Sequence, residues 1–121
     1  MIKKLPDAEL LVMNVVWDAK DPIPTNDILE IVNERYQRAW TSSTLQSLLN
    51  RLLKRKFIIS KRLGKFKYYW ALVEKEAYLQ AEMVDFISLH YNGSAFDMVS
   101  TLCKTKALSA AEIEKLRDML K

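Results

Sequence analysis

The sequence predicts a mainly α-helical protein with one small β-hairpin, in which a helix-and-hairpin domain is followed by a smaller helical domain. Residues 41–53 repeat apolar side chains at helical spacing, residues 57–72 change to a β-branched and aromatic pattern, and residues 74–121 return to helical spacing. The 121 residues are 50% hydrophobic and contain only two glycines and three prolines, which is typical of folded, helix-rich domains.

The first two helices are separated by a proline-containing break. The first is predicted from about residue 7 to 18, with Asp7 as its N-cap. The prolines at positions 22 and 24 end it, because proline lacks a backbone donor and restricts the residue before it. The second is predicted from residue 26 to 35 or 36, with Thr25 as its cap.

The third helix carries one apolar face and one polar face. Its apolar residues lie at i, i+3, i+4, i+7 and i+8, which predicts a buried face formed by Leu45, Leu48, Leu49, Leu52 and Leu53. Either Thr41 or Ser42 is expected to cap it. The other face has hydroxyl, amide and basic side chains and no acidic ones: Thr41, Ser42, Ser43, Thr44, Gln46, Ser47, Asn50, Arg51 and Lys54.

A β-hairpin follows the third helix. Residues 57–62 and 66–72 are predicted strands, and residues 63–65 connect them, with Gly64 able to adopt a positive φ. Four basic side chains crowd the tip: Lys61, Arg62, Lys65 and Lys67. Three helices followed by such a hairpin predict a winged helix-turn-helix domain over residues 1–73, with the hairpin as its wing.

The charge is concentrated in this first domain. Residues 1–73 hold thirteen Lys and Arg against seven Asp and Glu, and residues 35–73 hold ten basic residues and no acidic one. Such a block favours a polyanionic partner, and with the polar face of the third helix it predicts double-stranded DNA. The nine polar-face residues and the four wing residues are the predicted DNA contacts. Two alternatives stay open: a solvated basic surface without a specific partner, and a winged-helix protein-interaction module that does not read DNA.

Residues 74–121 are predicted to form a dimerisation domain of three helices, at about 74–91, at about 95–104, and from residue 109 onward. Ser109 and Glu112 have capping-box spacing. A piece this small builds only a weak core alone, so we expect it to pair with a second copy, although it could instead fold back on the winged helix in a monomer. The predicted interface consists of Leu79, Met83, Phe86, Ile87, His90, Phe96, Val99, Leu102, Ile113, Leu116 and Leu120.

No motif in the sequence indicates catalysis, a cofactor or a metal site. A single histidine rules out most His-based constellations, and Cys103 is expected to be a small buried residue. There is no apolar run of about 18 residues, so no membrane insertion is expected, and a cytoplasmic location is predicted.

Four stretches together resemble the BlaI/MecI/CopY group, the penicillinase-repressor family: residues 9–18, 43–52, 64–69 and 108–120. The resemblance implies a homodimeric winged-helix repressor that binds a pseudo-palindromic operator and controls antibiotic-resistance genes of the β-lactamase type or related genes. It also implies that Ser43 and Thr44, at the start of the recognition helix, contact DNA, and that the wing contacts the backbone or minor groove.

The resemblance also has implications for induction. Members of the β-lactam branch are inactivated by proteolysis in the dimerisation domain, triggered by a membrane sensor, which implies a sensor-protease system as a partner. The family's Asn-Phe cleavage pair falls at about Thr101 and Leu102, where this chain has different residues. The paired Cys-x-Cys motifs of the copper-responsive branch are missing from the sequence. Gln46 stands where some relatives have arginine, which allows a different operator sequence.

Overall fold

The computed structural model describes residues 2–121 and confirms the predicted fold class. Within these residues the chain forms six helices and a small antiparallel sheet, in the order α1 (Asp7–Asp18), β1 (Ile23–Pro24), α2 (Thr25–Arg35), α3 (Ser42–Lys54), β2 (Ile58–Leu63), β3 (Phe66–Ala71), α4 (Lys75–Tyr91), α5 (Ala95–Lys104) and α6 (Ala110–Met119). It divides into a first compact unit that ends at Leu79 and a second unit, Gln80–Lys121.

Helices α1 and α2 begin without a side-chain cap, so two of the predicted caps are wrong. Pro6 and Pro24 occupy the N-cap positions in extended conformations, and Asp7 and Thr25 are the first residues inside the helices. Proline suits this place because its restricted φ fits the extended backbone that precedes a helix. The Thr25 hydroxyl instead lies 3.5 Å from the Lys67 carbonyl oxygen, to which it donates.

The core of the first unit is formed by α1, α2, α3 and the inner face of the sheet. The predicted face of α3 is buried at Leu45, Leu48, Leu49 and Leu52, whereas Leu53 is only half-buried. Leu53 lies at the margin of the apolar arc, where helical spacing turns a side chain partly toward solvent. These leucines pack with buried residues of the other elements, including Val12, Met13, Ile28, Val32, Ile58 and Tyr69.

The sheet has the strand order β1-β3-β2, with both pairs antiparallel. The register of β2 and β3 ends with Leu63 opposite Phe66, so the connection contains only Gly64 and Lys65 and is shorter than predicted. Gly64 has a φ of +64°, as the turn requires, and a positive φ at the first of two loop residues is typical of a type II′ turn. The short strand β1 was not predicted, because two residues carry no readable periodicity.

Tyr78 ties the first turn of α4 to the core of the first unit. Its hydroxyl accepts a hydrogen bond from the Leu5 backbone N–H at 2.9 Å, and its ring centroid lies 5.5 Å from that of Trp17 and 5.8 Å from that of Phe57. The Trp17 indole donates to the Val73 carbonyl oxygen at 2.9 Å. These contacts explain why the first unit extends beyond the predicted domain boundary at residue 73.

Replacing Tyr78 with phenylalanine is expected to destabilise the first unit by about 1–2 kcal/mol, because the buried Leu5 N–H loses its partner. Urea unfolding of the full chain, monitored by tryptophan fluorescence, measures this change in the free energy of unfolding. Tyr69→Phe is the matched control: its hydroxyl is buried and, within residues 2–121, has no hydrogen-bond partner, so its removal should be neutral or stabilising. An equal loss in both variants would show that the Leu5 hydrogen bond is not the cause.

Helix α6 is capped as the sequence predicts. Ser109 Oγ accepts from the Glu112 N–H at 3.1 Å, and Glu112 Oε1 accepts from the Ser109 N–H at 3.0 Å. The backbone hydrogen bond from Ser109 lowers the pKa of Glu112 below its ordinary value. The capping box therefore stabilises α6 above that pKa and is lost as pH falls through it. At the end of α4, Gly93 has a positive φ, and its N–H donates to the Ile87 carbonyl oxygen at 3.0 Å.

The second unit has no enclosed core. None of residues 80–121, all of which the structure describes, is buried. The prediction that Cys103 is buried is therefore wrong, since its thiol is exposed. The reason is size: a unit this small encloses few side chains by itself. No helix in residues 2–121 has both the length and the hydrophobicity needed to cross a membrane.

Candidate nucleic-acid interface

The start of α3 is fixed by Thr41. Its Oγ1 accepts a hydrogen bond from the Thr44 N–H at 3.2 Å and lies 3.3 Å from Thr44 Oγ1, so Thr41, rather than Ser42, is the N-cap. The N-terminal end of a helix carries partial positive charge and unpaired N–H groups, which favours phosphate binding. The capped end of α3 thus combines exposed hydroxyl groups with a favourable dipole.

The turn before α3 is held by Asn33, a role that was not predicted from the sequence. Asn33 Oδ1 accepts from the Trp40 N–H at 3.0 Å, and Asn33 Nδ2 donates to the Trp40 carbonyl oxygen at 3.1 Å. This double hydrogen bond connects α2 directly to the residue before the cap of α3. The sequence does contain one indication of this role: asparagine has a low helical preference, so an asparagine inside a predicted helix often makes a specific side-chain contact.

The polar face of α3 is accessible along its whole length. Of the nine predicted DNA contacts on this helix, Gln46 is half-buried and the other eight are exposed: Thr41, Ser42, Ser43, Thr44, Ser47, Asn50, Arg51 and Lys54. Gln46 Nε2 donates to Asn50 Oδ1 at 3.0 Å on this face. The face therefore offers hydroxyl and amide groups, the types that bind base edges in the major groove.

Most of the positive charge near this face is unpaired. Arg35 forms an ion pair with Asp18 at 2.8 Å, and Arg55 forms one with Glu9 at 2.9 Å. Among residues 2–121, no carboxylate lies within 4.0 Å of the other eight basic residues of the 35–73 block: Arg38, Arg51, Lys54, Lys56, Lys61, Arg62, Lys65 and Lys67. This surface favours a polyanion over a partner of mixed charge.

The ion pair between Glu9 and Arg55 anchors the far end of α3. Arg55 is the C-cap residue of α3, and Glu9 lies in α1 with its carboxylate only 2% exposed. Within residues 2–121 Glu9 Oε1 has no hydrogen-bond partner, so its contact with Arg55 Nε is an ion pair. Burial of Glu9 was not predicted, because an acidic residue in a first helical turn is normally solvated.

The wing presents both charge and apolar surface at its tip. Lys61, Arg62 and Lys65 are exposed and Lys67 is half-buried; Arg62 lies directly opposite Lys67 in the register. Like charges facing each other across a strand pair destabilise the free hairpin, and a phosphate would relieve that repulsion. Leu63 and Phe66, also opposite each other, are 55% and 50% exposed. This apolar pair was not predicted from the sequence, although the period-two alternation places Leu63 on the same face as Lys61.

Nothing in the described chain is arranged for metal binding. Within residues 2–121, no group of three or more His, Cys, Asp or Glu side chains is placed to hold an ion.

Comparison with known proteins places these features in one family. Residues 5–121 match the family model described as penicillinase repressor. The chain is 34% identical to the methicillin resistance regulatory protein MecI of Mammaliicoccus sciuri over 97% of this chain and 93% of the relative. It is 30% identical to a penicillinase repressor of Bacillus licheniformis over 98% of this chain and 93% of the relative. Among solved structures, the monomeric form of Bacillus licheniformis BlaI in complex with the blaP half-operator matches with a TM-score of 0.53 and 28% identity, over 64% of this chain and 92% of that one.

Proposed function

Since the chain belongs to the penicillinase repressor family, we propose that it is a transcriptional repressor that binds operator DNA as a homodimer and controls antibiotic-resistance or related genes. The observation that carries this proposal is the acid-free polar face of α3 within residues 35–73, where eight of the ten basic residues have no ion-pair partner among residues 2–121. The similarity to a repressor in complex with a half-operator supports the same mode of binding.

The residue types suggest a division of labour across the interface. Ser43, Thr44, Gln46, Ser47 and Asn50 are proposed to face base edges, because hydroxyl and amide groups donate and accept in the major groove. Thr41 and Ser42 lie at the helix end, where the dipole favours a phosphate. Arg51, Lys54 and the wing residues Lys61, Arg62, Lys65 and Lys67 are proposed to neutralise phosphates or to enter the minor groove.

The second unit, together with Leu79 at the end of the first unit, is proposed to supply the dimer contact. The predicted interface residues are all exposed or half-buried in the single chain, with Phe96 80% and Leu120 81% exposed. Exposed apolar side chains of this size favour a partner surface, and a second copy would match the twofold symmetry of a pseudo-palindromic operator.

We further propose that the repressor is inactivated through a membrane sensor-protease system. The similarity to MecI and to penicillinase repressors supports this part of the proposal. The corresponding peptide bond, between Thr101 and Leu102, lies inside α5, and the Thr101 hydroxyl donates to the Asp97 carbonyl oxygen at 3.2 Å. Cleavage there would require local opening of α5, because a helical backbone keeps its amide groups in internal hydrogen bonds. N-terminal sequencing of the chain from induced cells tests this directly.

The proposed function is tested by titrating salt against binding to the DNA upstream of the protein's own gene and to a scrambled duplex of equal length. We expect a preference of about 10³-fold or more, a steep salt dependence and a footprint of two half-sites. Weak, equal binding to both duplexes, followed by failure of selection from random sequences, would favour the protein-interaction module instead.

Lys65→Ala is expected to weaken binding to operator and random DNA equally and to lower the slope of log K against log salt by about one. The reason is that a lysine at the wing tip contacts phosphates, which are the same in every sequence. Fluorescence anisotropy at several salt concentrations provides the slope, and Lys104→Ala, in the second unit, is the control. A loss confined to the operator would assign Lys65 to base recognition.

A further inference from the structure

We propose that Asn33 is a positioning residue for DNA recognition: its side-chain amide fixes the N-terminal end of α3 in the orientation that sequence-specific binding requires. This role rests on the proposed function, because it concerns how α3 would be held against an operator. Asn33 lies in α2 and is not among the predicted DNA contacts, so it acts through α3 rather than by touching DNA.

Asn33 makes three hydrogen bonds to the turn between α2 and α3. Its backbone carbonyl oxygen accepts from the Arg38 N–H at 3.1 Å. Its side chain accepts from the Trp40 N–H at 3.0 Å and donates to the Trp40 carbonyl oxygen at 3.1 Å. Gln37, inside this turn, has a φ of +52°, in the left-handed region that residues other than glycine rarely adopt. The bonds to Asn33 therefore hold a turn that local backbone preference disfavours.

The two side-chain bonds to Trp40 fix more than a distance. A single hydrogen bond would let the chain pivot about it, whereas bonds to both the N–H and the carbonyl group of one residue also fix the orientation of its backbone. Trp40 directly precedes Thr41, the N-cap of α3, whose backbone is extended with φ −88° and ψ 167°. A rotation of the chain at Trp40 would therefore be passed on to the start of α3.

The other restraints on α3 act elsewhere along the helix or are less directional. Its buried leucine face packs against the core, and hydrophobic packing is non-directional. The ion pair between Arg55 and Glu9 holds the opposite end. Both α2 and α3 pack against α1 more extensively than against each other, so the connection through Asn33 adds to a limited contact between these two helices.

A small error in the orientation of α3 is enough to affect base contacts. The helix has 13 residues and is about 20 Å long, so a tilt of about 10° moves one end relative to the other by about 3 Å. Direct hydrogen bonds need donor–acceptor distances within a few tenths of an ångström of about 2.9 Å. Attraction to phosphates carries no sequence information and depends on charge. Loss of the Asn33 amide should therefore weaken specific binding and spare non-specific binding.

The experiment measures binding of the full-length wild type and of Asn33→Ala to the DNA upstream of the protein's own gene and to a scrambled duplex of equal length. We expect Asn33→Ala to lose about 10- to 100-fold in affinity for the upstream DNA and to change by less than about twofold on the scrambled duplex. The slope of log K against log salt on the scrambled duplex should stay the same, because no charge is removed.

Amide hydrogen exchange adds a readout of the turn itself. The Trp40 N–H donates to the Asn33 side chain in the wild type, so it should exchange faster in Asn33→Ala. The N–H of Leu49, a buried residue inside α3, should keep its protection, which would show that the helix is still formed.

Two control variants separate positioning from general effects. Asn26→Ala makes the same substitution at an exposed position of α2, so it measures the effect of helical preference alone. Tyr78→Phe removes a hydrogen bond to a backbone N–H elsewhere in the first unit, so it measures the effect of a general loss of stability. Both variants should keep the wild-type preference for the upstream DNA over the scrambled duplex.

Asn33→Asp is the second variant, and it decides the outcome if Asn33→Ala does not fold. Its carboxylate has the same shape and still accepts from the Trp40 N–H, but it cannot donate to the Trp40 carbonyl oxygen. The added negative charge weakens binding to both duplexes alike, so the ratio of the two affinities remains the measure. We expect this ratio to fall in Asn33→Asp as well.

An unchanged ratio in the Asn33 variants, an equal loss of preference in Tyr78→Phe, or an unchanged exchange rate of the Trp40 N–H would overturn the inference while leaving the proposed function intact. If the wild type does not distinguish the upstream DNA from the scrambled duplex, and selection from random sequences yields no preferred site, the proposed function itself fails. That outcome is visible before any variant is compared.

Discussion

Replacing Phe96 with aspartate is expected to convert the dimer into monomers and to weaken operator binding by about 10²- to 10⁴-fold. Phe96 lies on α5 and is 80% exposed in the single chain, so a charge there should have little effect on the fold of the chain itself. In a dimer the same side chain would be covered, and burying an unpaired carboxylate is strongly unfavourable. The large effect on DNA follows because a dimer joins two half-site contacts, whereas a monomer makes one.

Sedimentation analysis gives the oligomeric state, and binding to duplexes with one or two half-sites separates lost avidity from lost contact. The Phe96→Asp variant should bind a single half-site about as well as one wild-type protomer does. Leu72→Asp is the matched control, because Leu72 is 54% exposed and lies in the first unit. A wild-type protein that sediments as a monomer at all concentrations would favour the alternative in which the C-terminal helices fold back on the winged helix.

Replacing Arg55 with alanine is expected to destabilise the first unit by about 2–4 kcal/mol. The substitution leaves the Glu9 carboxylate, which is 2% exposed, without its cationic partner. The effect should stay below that of a fully buried pair, because the Arg55 side chain is 42% exposed. Operator affinity should fall as well, since Arg55 joins the end of α3 to α1.

The exposed ion pair between Arg35 and Asp18 provides the control for this prediction. Arg35→Ala removes an arginine from the same basic block, but both partners are largely solvated, so a loss of no more than about 1 kcal/mol is expected. Replacing Glu9 with leucine in the Arg55→Ala background should restore part of the lost stability, because it removes the buried charge. Urea unfolding of the wild type, the two single variants and the double variant tests both expectations. Equal losses of stability for Arg35→Ala and Arg55→Ala would show that burial of Glu9 has no energetic consequence.

The elements with strong periodicity or specific caps were predictable from sequence. Helix α5 has the predicted bounds, the Ser109 capping box is present, and Gly64 makes the hairpin turn. The wrong cap of α2 is at a place where local preference competes with a tertiary contact. Thr25 is a good N-cap residue by type, yet its hydroxyl reaches strand β3, and Pro24 takes the cap position.

The candidate DNA surface also has features that can be predicted from the sequence and features that cannot. Its composition, polar on one face of α3 and basic throughout residues 35–73, can be read directly from the chain, because helical spacing and charge are local properties. The contacts that position this surface could not be read from the sequence, since each joins residues whose proximity depends on the fold: Asn33 with Trp40, and Arg55 with Glu9.

The sequence by itself determined the fold class, the order of the elements and the acid-free face of α3, because these follow from the spacing of apolar and charged residues. Only the tertiary structure decided that the Glu9 carboxylate is buried against Arg55 and that α4 begins inside the first unit. The physical reason is that periodicity specifies which side of an element faces inward, whereas the partner a polar group meets depends on how several elements pack around it.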